Sequence, residues 1–191
     1  MKTNSVQQLF IYCMLLFIVS CQKSTDKPFT EQEEFTSSFS SNQSEFSQAR
    51  ERPFRGRIEG NFAATQTTNP AIYIGSAHAK GTGTYIGAFS KVTNDSITIV
   101  STTTFAINGT FIMTNIPGEQ ITGKYEGTST IGSIPGTFSW FLNATITGGS
   151  GRFSHATGTF VFLANGNYTI GDDGILLSGD YKETFDGTII Y

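Results

Sequence analysis

A short pattern of glycine and aromatic residues limits what this chain can fold into more than any other feature. A glycine is followed two positions later by a phenylalanine or tyrosine at Gly60/Phe62, Gly83/Tyr85, Gly109/Phe111, Gly123/Tyr125, Gly136/Phe138, Gly151/Phe153, Gly158/Phe160 and Gly179/Tyr181. Successive side chains of a strand point to opposite faces, so wherever the tripeptide lies within a strand its glycine and its ring share one face. A face built from the smallest and the largest residues in alternation is how a narrow closed barrel fills its interior, and glycine also eases the coiling that closure requires. The opposite face carries Thr84, Ser90, Thr122, Lys124, Ser139, Asn143 and Thr145, which suit water. A flat sandwich with bulges is the alternative that this pattern leaves open.

Apolar and polar residues alternate over Ile58–Ala64, Gly83–Phe89, Ile121–Gly127, Phe138–Ile146, Gly158–Phe162 and Gly179–Phe185, while no comparable window holds a helical period. Counting runs between turn signals predicts about eight strands, near 54–65, 80–91, 96–105, 108–115, 120–129, 137–147, 156–164 and 175–190. The turns fall at Asn94-Asp95, Pro117-Gly118, Pro135-Gly136, Gly148-Gly149-Ser150-Gly151, Asn165-Gly166 and Asp173-Gly174. The fold class is therefore all-β: a single small antiparallel eight-stranded barrel over 53–191. The stretch Ile146-Thr147-Gly148-Gly149-Ser150-Gly151-Arg152-Phe153-Ser154-His155-Ala156-Thr157-Gly158 resembles the Gly-Gly-Ser/Thr-Gly-x-Phe-x-x-Ala-x-Gly signature of dirigent proteins and allene oxide cyclases. The resemblance implies an eight-stranded antiparallel barrel, a homotrimer in many members, and a carboxylate inside a largely apolar barrel in the cyclases. A hairpin signature speaks for fold more than for activity.

The segment ahead of the barrel has a different composition. All 21 glycines fall between Gly56 and Gly187. Lys2 precedes an apolar run of eleven residues, Leu9 to Val19, which is too short for a spanning helix of about 20 residues and fits a cleavable export signal over 1–20. Ile18-Val19-Ser20-Cys21 resembles the lipobox of bacterial lipoproteins, which implies acylation of Cys21 and membrane attachment through its chains at about 0.8 kcal/mol per buried CH₂. The alternative is an ordinary secretory cleavage that leaves Cys21 as a free thiol. The other cysteine, Cys13, would leave with the signal, so neither a disulfide nor a cysteine zinc site is expected. Residues 21–52 are rich in Ser, Thr, Gln and Glu and read as a tether, although Phe29, Phe35, Phe39 and Phe46 leave open a docked segment. Gln22, next to Cys21, resembles lipoproteins sent to the outer membrane of Gram-negative bacteria.

Few side chains offer chemistry. Residues 53–191 hold seven Lys and Arg against nine Asp and Glu with no basic run, so no nucleic-acid partner is expected. His78 and His155 lack carboxylates at ligand spacing, and neither a metal nor a cofactor is expected. Gly148-Gly149-Ser150-Gly151 lacks the helix that a nucleophile elbow or a phosphate cradle needs. By strand parity Glu183 points inward with Tyr181 and Phe185, where burial would raise its pKa and make it a weak candidate general acid or base. Tyr85, Tyr125, Trp140 and Tyr181 are inward candidates for a ligand pocket, and they suit a packed core equally well. The reading is a membrane-tethered binding or scaffolding module for a small hydrophobic ligand or a protein partner. A cofactor-free isomerase or cyclase is the rival, and association as a homotrimer through an apolar outer face is a third possibility.

Overall fold

The computed structural model describes residues 50–172 and 174–191. Eight strands follow one another along the chain: β1 (Glu51–Gln66), β2 (Ile72–Gly83), β3 (Gly87–Ile99), β4 (Thr104–Asn115), β5 (Gln120–Ile131), β6 (Thr137–Gly149), β7 (Gly158–Ile170) and β8 (Leu176–Ile190). Each is antiparallel to the next, and β8 pairs back onto β1 to close the barrel. The expected closed all-β barrel is therefore observed, and its first strand begins at Glu51, two residues ahead of the expected domain boundary. The expected signal peptide, Cys21 and nearly all of the expected tether lie outside the described residues.

Register explains why glycines and rings recur together. Across β4 and β5, Phe111 stands opposite Gly123 and Gly109 opposite Tyr125. Across β1 and β8, Phe62 faces Gly179, Gly60 faces Tyr181, Phe54 faces Gly187 and Gly56 faces Phe185. The triplets 60–62 and 179–181, and 109–111 and 123–125, thus meet in reverse, so a ring on one strand covers a glycine on the next. A Cβ added to Gly123 would overlap the Phe111 ring, one on Gly56 the Phe185 ring, and one on Gly166 the Phe138 ring. Such ring-over-glycine pairs let bulky groups cross a lumen that eight strands make only just wide enough for side chains.

The two ends of the barrel differ. At one end Phe54, Phe111, Phe153, Phe162, Met113 and Ile189 are fully buried. Phe160 and Phe162 meet edge to face at 4.8 Å, and each packs the same way on Phe111. Burying each such ring contributes about 1.5–3 kcal/mol, and the plug they form seals this end. The segment Gly148–Gly158, expected as a plain hairpin with a strand from 156, instead ends β6, makes a 3₁₀ turn at Gly151–Phe153, and starts β7 at Gly158. Phe153 and Ala156 turn inward beneath the plug, with the Phe153 ring 5.0 Å from that of Tyr191. The signature residues therefore act as a lid on the sealed end. The turns after β1, β3, β5 and β7 surround the opposite, open end.

Several expected boundaries shift, each for a local reason. The run 80–91 is not one strand: β2 ends at Gly83 and β3 begins at Gly87, and these two glycines pair across a three-residue turn. Tyr85 at its apex has φ +64° and lies in the left-handed region, with the Ile86 amide donating to the Thr84 carbonyl at 2.8 Å. Its placement is a correction: Tyr85 is 41% exposed at the sealed end, outside the lumen, because its tripeptide leaves the strand and parity no longer applies. The run 96–105 likewise straddles the β3–β4 turn. Asn94-Asp95 and Asn165-Gly166 are not turns but lie within β3 and β7, the latter because Gly166 makes room for Phe138. The turns at Pro117-Gly118 and Pro135-Gly136 occur where expected, with Gly118 at φ +89° and Gly136 at φ +76°.

Substituting Gly123 by Ala should lower stability by about 1–3 kcal/mol through overpacking against Phe111 and the Thr145 carbonyl. The check is a urea titration in which the midpoint falls while the slope is kept. An unchanged midpoint would show that the ring-over-glycine fit does not restrain the wall.

Candidate functional site

The half of the lumen above the plug is not filled. A cavity of about 290 Å³ remains there. Its walls are apolar, with Ile97 on β3, Ile107 on β4 and Leu142 on β6, and its rim carries Tyr73, Phe105 and Tyr168 near the open end. Polar groups from β3, β5, β6 and β8 converge in the lining, and two of them, Lys91 and Tyr125, rest on Phe162 of the phenylalanine plug beneath.

The deepest of these groups form a buried ion pair. Lys91 and Glu183 are 3% and 2% exposed, and the Lys91 ammonium donates to Glu183 Oε2. The indole N–H of Trp140 donates to Glu183 Oε1 at 3.0 Å, so both carboxylate oxygens have a donor. Lys91 Nζ also lies 4.0 Å above the centre of the Phe162 ring, whose negative face favours a cation. Burial pushes the Glu183 carboxyl above the usual range, and the charge and hydrogen bond of Lys91, together with the Trp140 hydrogen bond, oppose the rise. The pair balances its own charges at the cost of desolvating both.

A second carboxylate, on β3, stands two inward positions beyond Lys91. Asp95 accepts hydrogen bonds from the Tyr125 hydroxyl and, at 2.9 Å, from the Thr93 hydroxyl. The Thr93 oxygen in turn accepts the Ala77 backbone N–H at 3.0 Å, which fixes its rotamer. Desolvation raises the Asp95 pKa from 3.8 to about 6, the Thr93 hydrogen bond and Lys91 pull it down, and Glu183 pushes it up. Tyr181, 3% exposed, packs its ring 4.7 Å from that of Trp140. Burial and the negative charge of Glu183 and Asp95 drive its hydroxyl pKa far upward, so it stays neutral.

Strand parity placed four of the five expected ligand-facing residues correctly: Tyr125, Trp140, Tyr181 and Glu183 all line the cavity, and Tyr85 does not. Lys91, Thr93 and Asp95 were missed as site residues. All three lie on alternate positions of β3, and the signal that would have found them was the inward parity running from Phe89 through Lys91, Thr93 and Asp95 to Ile97. The turn expected at Asn94-Asp95 interrupts that run in the sequence reading. His78 and His155 are exposed. Among the described residues no group of three or more His, Cys, Asp or Glu could hold a metal ion.

No protein-family model matches the chain. No curated protein matches it either. Among solved structures it is similar to a pterocarpan synthase dirigent protein, with 14% identity over 73% of this chain and 92% of that one, at a TM-score of 0.29. A score of that size carries no argument, and the statement of fold rests on the closed barrel itself.

Glu183→Gln should destabilise the protein by about 3–5 kcal/mol, because it leaves Lys91 without its bonded counter-charge in a dry floor. The double variant Lys91→Met/Glu183→Leu should recover most of that loss, since apolar groups of similar size need no partner there. Thermal or urea denaturation of the three proteins decides the point. Equal stability of Glu183→Gln and the parent would mean that the two charges are not coupled.

Proposed function

We propose that this chain is a lipid-anchored protein of the bacterial cell envelope whose barrel binds a small, largely apolar molecule without transforming it. The cavity carries the reading: an apolar chamber of about 290 Å³, open at one end, sits on a rigid aromatic plug. A mostly apolar pocket with a few fixed polar groups is the usual form of a small-molecule site. Glu183, the expected acid or base, has both oxygens bonded to Lys91 and Trp140, which favours a structural part over proton transfer. Kinship with the dirigent and allene oxide cyclase barrels belongs to the same proposal, supported by the signature at Gly148–Gly158 and by the eight-stranded closure.

The anchor rests on sequence: the short apolar run, the lipobox-like Ile18–Cys21, and Gln22, which points to the outer membrane of a Gram-negative cell. Association into a homotrimer would use the outer wall, where Phe141 faces Leu163 and Val92 faces Ile112 with each side chain well exposed. A cofactor-free isomerase remains the second reading, favoured by one observation, the carboxyl of Glu183 raised by burial in the cavity floor.

Trp140 is the sole tryptophan of the chain and lines the cavity, so it reports occupancy directly. Titrating the full chain with n-decanol should change its fluorescence saturably, and Ala77→Leu, which adds bulk to the cavity wall, should weaken binding at least ten-fold. An unsaturable response equal in both proteins would overturn the binding reading. The anchor has its own measurement: Cys21→Ser should abolish palmitate labelling and release the chain from the membrane fraction. Labelling that survives the substitution would remove the lipid from the proposal.

A further inference from the structure

The charges around the cavity do not balance. Its lining holds one cation, Lys91, and two carboxylates, Glu183 and Asp95. Lys91 bonds Glu183 directly and so is spent on it, while Asp95 is held by two neutral hydroxyls, those of Tyr125 and Thr93. The remaining titratable groups of the lining are the tyrosines Tyr73, Tyr168 and Tyr181, from β2, β7 and β8. β1, β4 and β6 contribute none. A carboxylate in an apolar chamber with no directly bonded countercharge, and only the more distant charge of Lys91 to offset it, is a costly arrangement for a protein to keep.

A second feature points the same way. The Tyr181 hydroxyl has no hydrogen-bond partner among the described residues, yet it is not sealed off, so it opens onto the cavity as a free polar group on a side chain only 3% exposed. Tyr181 lies two residues from Glu183 on the same inward face of β8, and it lines the same cavity as Asp95. The same lining holds the rings of Phe138, Trp140 and Tyr181, packed in series, and that of Tyr125, whose hydroxyl bonds Asp95. Aromatic faces attract cations, and they do so more strongly where water is excluded. A carboxylate acceptor, a free hydroxyl acceptor and a box of rings are together complementary to an N–H donor that bears positive charge.

We propose that the ligand of this cavity is an organic ammonium ion with an apolar body, its charged end seated between Asp95 and the Tyr181 hydroxyl and its body packed among the aromatic and aliphatic walls. This rests on the binding reading above and specifies its ligand class. An anionic amphiphile such as a fatty acid would bring a second uncompensated negative charge to the same corner and is disfavoured. Occupation by the cation would also hold Asp95 ionised, and would restore one-to-one charge pairing in the floor.

The test titrates the full chain with three probes of equal chain length, n-octylammonium, n-octanol and n-octanoate, following Trp140 fluorescence with calorimetry as a check. At pH 8 octylammonium should bind at least ten-fold tighter than octanol, and octanoate weakest of the three. The ammonium preference should fall as the pH drops from 8 to 5, because the Asp95 carboxyl, with its pKa near 6, takes up a proton and loses the charge that attracts the ligand. Asp95→Asn should collapse the ratio of ammonium to alcohol affinity toward one and remove its pH dependence. Should that variant not fold, the pH profile of the parent protein decides alone. Octanol or octanoate binding as tightly as octylammonium, or a preference that does not change with pH, overturns the ammonium assignment and leaves the cavity reading standing. No saturable binding of any probe overturns both.

Discussion

A closed sheet of eight strands encloses a lumen of nearly fixed width, and everything inside this barrel follows from how that width is filled. The wall cannot move outward without breaking strand pairing, so a ring on one strand must be met by nothing on the next. Glycine supplies that nothing. The reciprocal pairs Phe111/Gly123 with Gly109/Tyr125, and Phe62/Gly179 with Gly60/Tyr181, show that the repeat is a two-strand device rather than a property of any single strand. It also fixes register, since a slip by one residue would place rings against carbonyls and Cβ atoms and turn polar side chains inward.

The plug has an electrostatic consequence. By expelling water from one half of the lumen it makes the floor of the other half dry, and any charge standing there is strongly felt. Lys91 and Glu183 answer that with each other and with the Trp140 indole. Asp95 has only the polarity of two hydroxyls, and its raised pKa expresses the shortfall. Mutual pairing satisfies the hydrogen-bonding groups of one part of the floor, and the other part is left responsive to whatever enters.

Much of the architecture was legible because parity is robust in long, regular strands. β1, β5, β6 and β8 were recognisable from alternation, and with them the inward direction of Tyr125, Trp140, Tyr181 and Glu183. What escaped depended on contacts between distant segments. Gly83 and Gly87 form a tight turn whose apex is Tyr85, and a glycine-x-aromatic triplet at a turn is identical in sequence to one in a strand. Asn94-Asp95 carries a strong local turn signal that is overruled because the Asp95 oxygens are satisfied by Tyr125, 30 residues away, and by Thr93. Lys91 has no local signal for an inward role, because its partner Glu183 lies 92 residues further along the chain. Local pattern determined the wall, and pairing across the lumen determined the floor.

Barrel closure depends on β8, the last strand, which lies between β7 and β1 and carries both Tyr181 and Glu183. Bringing it to β1 closes a loop of more than a hundred residues, a cost in chain entropy that is met only when the final strand has left the ribosome. Until then β1 and β7 are open edges, and the ammonium of Lys91 has nothing with which to pair. The chamber therefore cannot form in a chain that lacks β8. Assembly of the wall and assembly of the site are the same folding event.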